Sequence, residues 1–301
     1  MRIGRFGLVP ALLLASTLAA TAAPTPDDAY AAYQAGLYLR AMREATARLD
    51  KNRNDAPAMT LIGELFNQGL GVPMNPVKAA EWYKLAAKQG DPNALSTLGL
   101  MALEGRGMEK NPVQGKAWLE EAAAKGEPRA SYNLGLLYMS TGDNADLKRA
   151  VGFLKTASGA EIGDAQHALG VLYLTGKGVE KSSAEAARLF ERAARNGSLA
   201  GEVEYAILLF NGDGVKANET EAATHFRRAA ARGNAIAQNR LARMLVAGRG
   251  VQANRIDAAA WHLLAASQGL TDSWLDGALK DLSPEDRAKA AKLAAERSSL
   301  F

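Results

Sequence analysis

Residues 165–197, AQHALGVLYLTGKGVEKSSAEAARLFERAARNG, and residues 58–90, AMTLIGELFNQGLGVPMNPVKAAEWYKLAAKQG, carry one pattern at one spacing. Each opens on alanine, places glycine five positions on, stops an apolar run at a G-x-G pair and closes on a second apolar run containing Ala-Ala. Working outward, the column Ala58, Ala94, Ala130, Ala165, Gly201 and Ala237 recurs at spacings of 36, 36, 35, 36 and 36 residues. Self-similarity at a fixed period of this size is the signature of stacked repeats.

Each unit reads as two helices. The first carries apolar residues at helical spacing, as in Leu134, Leu137 and Tyr138 or Leu169, Leu172 and Tyr173. The pairs Gly69/Gly71, Gly105/Gly107, Gly176/Gly178, Gly212/Gly214 and Gly248/Gly250 end it, because glycine reaches positive φ without a steric cost. The third unit lacks the pair and reads Ser140-Thr141-Gly142-Asp143-Asn144, where its one-residue deletion fits. The second helix starts at Asn75, Asn111, Ser182, Asn218 and Asn254, all good N-caps. Pro76 and Pro112 stand first in the helix, where a missing N–H does no harm. Large residues (Trp82, Trp118, Phe153, Trp261) recur in one column and Ala-Ala pairs in another, which lets one helix-pair interface be reused along the chain.

These residues resemble the Sel1-like repeat, a relative of the tetratricopeptide repeat: A-x3-L-G-x2-Y-x2-G-x-G-V followed by K-A-x2-W-Y-x2-A-A-x2-G, matched best by Ala58 to Gly90 and Ala165 to Gly197. The resemblance covers six units over residues 58–272 and implies an all-α, right-handed α-solenoid of antiparallel helix pairs. Departures are the missing G-x-G of unit three, Glu161 where a terminal glycine is expected, and Tyr205-Ala206 in place of Leu-Gly. Residues 23–57 contain Gly36-Leu37-Tyr38-Leu39-Arg40-Ala41 and are expected to form a degenerate N-terminal hairpin. Residues 273–301, with Ser283-Pro284-Glu285-Asp286 before an Ala-rich stretch to about Arg297, are expected to cap the array.

Residues 1–22 are expected to be a secretory signal peptide: Arg2 and Arg5, an apolar run from Leu8 to Leu18, and the small-residue pattern Ala20-Thr21-Ala22. Its removal lowers Lys plus Arg from 36 to 34 against 32 Asp plus Glu, so the net charge falls from +4 to +2. With no basic cluster on one face, nucleic acid is not an expected partner. The sequence has no Cys, which excludes disulfides, thiolate zinc sites and a cysteine nucleophile.

Other chemistry is poorly supported. The G-x-G pairs lack the third glycine and the preceding strand of a dinucleotide loop, so no cofactor is expected. His167, His225 and His262 show no metal-ligand spacing, and His225 and His262 fall in columns filled elsewhere by aromatics, so no metal is expected. Lys155-Thr156-Ala157 faintly matches the K-T-G of serine β-lactamases, without S-x-x-K or S-D-N.

By analogy with the tetratricopeptide repeat, the second and sixth positions of each unit face the concave wall lined by the first helices, where extended peptides dock. The expected partner-binding groove is therefore Leu100, Tyr132, Leu136, His167, Val171, Val203 and Ile207, bounded by Glu64 and Arg243. The adjacent column (Leu65, Met101, Leu137, Leu172, Leu208, Met244) reads as core. The expectation is a non-catalytic scaffold that binds a protein or peptide and does not span a membrane once the leader is cut. The resemblance implies a periplasmic regulator of a sensor kinase or an envelope-assembly factor. The alternative is a hydrolase of β-lactam or peptidoglycan-like substrates.

Overall fold

Capping rules written once per unit set the boundaries of the helices. The computed structural model describes residues 27–299, which form sixteen α-helices and, among the described residues, no strand. α1 (Asp28–Gln34) and α2 (Tyr38–Lys51) precede the six repeated pairs. These are α3 (Ala56–Gln68) with α4 (Pro76–Lys88), α5 (Pro92–Glu104) with α6 (Pro112–Ala124), and α7 (Pro128–Thr141) with α8 (Asn144–Gly159). α9 (Gly163–Thr175) with α10 (Ser183–Arg195), α11 (Leu199–Asn211) with α12 (Glu219–Ala231), and α13 (Ala235–Ala247) with α14 (Arg255–Ser267) complete them. α15 (Ser273–Leu279) and α16 (Pro284–Ser298) follow, and α16 folds back onto α14. From α1 to α15 each helix packs on the next in sequence, which makes the chain an α-solenoid. The leader expected over residues 1–22 lies outside the described residues.

The caps are where the sequence places them. Asn75, Asn111, Ser182, Asn218 and Asn254 each accept a hydrogen bond from the backbone N–H three residues on, satisfying a donor that the first turn leaves free. Gly69, Gly105, Gly176, Gly212 and Gly248 close the first helices in the left-handed region. The second glycine of the pair has a different reason to be there. A Cβ on Gly178, at φ 70°, would stand 2.6 Å from the Leu147 carbonyl oxygen, because the loop lies directly on the second helix of the preceding unit.

Unit three shows what the pair does by lacking it. Gly142 ends α7 and Asp143 caps α8 at once, its carboxylate accepting from the N–H groups of Ala145 and Asp146, so α8 runs to 16 residues where the other second helices have 13. The G-x-G loop that would cover the start of α6 is gone, and Val113 is left 83% exposed above a notch lined by Leu103, Leu137 and Tyr138.

Small residues bring the two helices of a pair together. A Cβ on Gly135 would stand 2.6 Å from Leu154 Cγ, and one on Gly170 2.5 Å from Phe190 Cε1. The side chain opposite fills the room that glycine leaves, which is how an alanine- and glycine-rich interface still reaches close packing. In units five and six alanine takes the glycine column, and Ala206 and Ala242 are fully buried.

Glu161 takes the place of a terminal glycine and keeps its backbone, at φ 60°, the one non-glycine with positive φ among the described residues. Its carboxylate accepts from Gln166 Nε2 (2.9 Å), Asn196 Nδ2 (2.7 Å) and Arg192 Nη2 (2.5 Å). These bonds hold its carboxyl down to about 2. A residue in a backbone conformation that costs roughly 1–3 kcal/mol is thus fixed by partners on and beside α9 and α10, the helix pair of the following unit.

Candidate functional site

The nine expected groove residues all lie on first helices, but they differ in what they offer a partner. Leu136 of α7 is 39% exposed, and Leu100, Tyr132, His167, Val171 and Ile207 are half-buried. Val203 corrects the expectation: it is 4% exposed and belongs to the core of units four to six. It shares its column with Tyr132 and His167, whose larger rings stay half-buried.

The two expected boundary residues are engaged within the chain. Glu64 accepts a 2.5 Å hydrogen bond from the Tyr83 hydroxyl, which burial pushes well above the usual tyrosine range, and it also contacts Gln68. Arg243 of α13 forms a bidentate pair with Asp272, Nε to Oδ2 at 2.6 Å and Nη2 to Oδ1 at 2.8 Å. Asp272 also accepts from Asn239 Nδ2 (2.7 Å) and caps α15. The Arg243 guanidinium holds its carboxyl far below the usual carboxylate range.

At this end of the wall the helices enclose a pocket of about 240 Å³. Ile207 and Phe210 of α11, Met244 of α13 and Trp274 of α15 supply its apolar surface, and Arg240, Arg243 and Arg249 its charge. Two of the three guanidinium groups lie over rings, Arg249 4.1 Å from the Phe210 centroid and Arg243 5.1 Å from that of Trp274. Of the pocket residues, sequence reasoning reaches Ile207 and Arg243. Phe210, Arg240, Arg249 and Trp274 are missed, since Arg249 sits in the variable middle of a G-x-G and Trp274 lies beyond the last repeat.

A buried polar column also escapes the sequence reading. Gln166, Glu202 and Gln238, one position after the unit start, are all 0% exposed. Gln166 and Gln238 donate to the carbonyls of Ser158 and Ala230 at the end of the preceding helix, and accept from Asn196 and Gln268. Glu202 has no donor and gathers two guanidinium groups and a ring instead: Arg228 Nε at 3.1 Å, Arg232 Nη1 at 3.4 Å and His225 Nδ1 at 3.3 Å. The recurring polar letter between apolar ones was the available signal.

The remaining histidines are likewise occupied. His167 packs its ring 5.7 Å from Phe190, and burial lowers its pKa. His262 places Nε2 2.7 Å from Asp276 Oδ1, joining α14 to α15. Thr156 directs its hydroxyl to the Gly152 carbonyl of its own helix. Among the described residues no group of three or more His, Cys, Asp or Glu side chains is placed to hold a metal ion. No helix among them is long and apolar enough to cross a membrane.

An all-helical solenoid of repeated pairs, presenting a wall of first helices with a pocket near one end, defines a class of proteins that typically serve as non-catalytic binding scaffolds. The Sel1 repeat matches six times, over residues 56–91, 92–127, 128–159, 163–198, 200–234 and 235–270. The chain belongs to the Sel1 repeat family. Among solved structures it is similar to a Sel1 repeat protein from Oxalobacter formigenes, with 27% identity and a TM-score of 0.71 over 80% of this chain and 99% of that one. It is also similar in fold to c5321, described as a protective antigen of uropathogenic Escherichia coli with an SLR fold, with 22% identity and a TM-score of 0.57 over 88% of this chain and 65% of that one. No curated protein matches the chain significantly.

Proposed function

We propose that the chain is a non-catalytic scaffold that binds a protein or peptide on the first-helix wall, and that it acts in the periplasm as a regulator or an envelope-assembly factor. The observation that carries the reading is the run of equivalent positions along that wall. Leu100, Leu136, Val171 and Ile207 occupy the same place in four consecutive units, remain partly accessible, and lead to the pocket bounded by Trp274. Contiguous apolar surface on a water-facing protein marks an interaction site more often than not. The effect on a partner would be a shift of its conformational or assembly equilibrium by differential binding, with no covalent step. The leader read at residues 1–22 supports the compartment.

Photo-crosslinking from position 132 in the native bacterial envelope, followed by mass spectrometry, tests the reading. A specific captured protein, released by Leu136→Asp and Ile207→Asp in a chain that keeps its helicity, is the expected result. Capture that survives both substitutions places the interface elsewhere.

A further inference from the structure

The pocket between α11, α13 and α15 has a composition that selects its occupant. Its lining contains three arginines and no carboxylate. Two of the arginines are already matched from outside the lining: Arg243 by Asp272, and Arg249 by Glu219, whose Oε1 lies 2.5 Å from Nη2. Those pairs, with the ring contacts to Trp274 and Phe210, fix both guanidinium groups in place. Arg240 is exposed and has no acidic partner among the described residues. The pocket therefore carries one uncompensated positive charge at the edge of an apolar floor.

Size narrows the choice further. About 240 Å³ lies below the roughly 300–1,000 Å³ of pockets that enclose whole small-molecule ligands. It suits the insertion of a single large side chain from a longer segment. Trp274, 47% exposed at the rim, and the flanking arginines are the residue types that most often dominate such contacts.

Resting on the scaffold reading above, we infer that this pocket takes a protein segment in which a large apolar side chain, Leu, Phe or Trp, stands close to an Asp or Glu. The apolar side chain contacts Ile207, Met244 and Trp274, and the carboxylate pairs with Arg240. The charge gives specificity and the apolar contact gives affinity, since a rim ion pair alone is worth little in water.

Panning a displayed library of random dodecapeptides against the full chain tests the assignment. Enriched peptides are expected to join a large apolar residue to a nearby acid and to bind Arg240→Glu and Trp274→Ala about tenfold or more weakly. Arg188→Glu, on the exposed face of α10, should bind them unchanged. Replacing the peptide's acid by lysine should restore binding to Arg240→Glu. Peptides enriched without an acid, peptides indifferent to Arg240→Glu, or a library that enriches nothing overturn the assignment. Binding lost in Leu136→Asp but retained in Arg240→Glu overturns the pocket and leaves the scaffold reading standing. Failure of the envelope crosslinking to capture any protein overturns the scaffold reading itself.

Discussion

Arg243 and Asp272 join the last repeat to the helices that follow it: the guanidinium meets both carboxylate oxygens, at 2.6 and 2.8 Å, from a distance of 29 residues in sequence. Asp272 also caps α15 through the N–H groups of Trp274 and Leu275. Asp272→Ala removes a cap worth about 0.5–2 kcal/mol and leaves Arg243 half-exposed, so water recovers part of the lost pairing. A loss of about 1–3 kcal/mol in urea unfolding is expected at neutral pH, with faster amide exchange confined first to α15 and α16. The folded carboxyl titrates far below its unfolded value of 3.8. Its stabilisation is therefore complete above that value, fades as pH falls below it, and should be missing from the pH profile of the variant.

Gly135 and Gly152 separate packing from propensity. Both lie within helices of unit three, but a Cβ on Gly135 would stand 2.6 Å from Leu154 Cγ, whereas one on Gly152 would meet nothing within 4 Å. Gly152→Ala should raise stability by about 0.5–1 kcal/mol through helix propensity alone. Gly135→Ala gains the same term and sets it against overpacking of about 1–3 kcal/mol. Thermal melting of the two variants should move in opposite directions.

What could be read from the sequence follows from the distance over which each feature acts. N-caps such as Asn75 and stop glycines such as Gly69 work within four residues of their own position, and repetition six times separates them from chance. The pairings that build the pocket, Arg243 with Asp272 and Arg249 with Glu219, span 29 and 30 residues and occur once each, so no column reports them. Val203 was misplaced for another reason. Periodicity assigns a residue to a face of its helix, but the difference between a buried Val203 and half-buried Tyr132 and His167 in one column lies in side-chain length and in what the neighbouring unit covers.

Glu161 tests whether partners outweigh backbone strain. Glycine at this position would relax the left-handed backbone and lose three side-chain hydrogen bonds, while alanine would keep the strain and lose the bonds as well. Glu161→Ala should therefore melt below both the parent and Glu161→Gly. Because the folded carboxyl is held down to about 2 from an ordinary 4.5, its contribution is fully present above 4.5 and disappears as pH falls toward 2. Acid titration of melting temperature should show that slope in the parent and a flatter one in both variants.

Glu202 stands where units four and six carry glutamine, and the comparison predicts which replacement the fold accepts. Gln166 and Gln238 each donate to a carbonyl eight residues back, Ser158 and Ala230, and the equivalent acceptor for position 202 is Ala194. A carboxylate cannot donate to it, so Glu202 is held by Arg228, Arg232 and His225 instead. In Glu202→Gln the amide can make the bond its neighbours make, and Arg228 and Arg232, 60% and 47% exposed, return to water at little cost. Stability should stay within about 1 kcal/mol of the parent, since a buried ion pair replaced by a satisfied neutral group is often near neutral. Glu202→Ala leaves a cavity and an unmatched polar site between α11 and α12, and should lose about 2–4 kcal/mol in the same urea titration. Equal losses in the two variants would mean that the cations, and not the hydrogen-bonded column, hold this junction together.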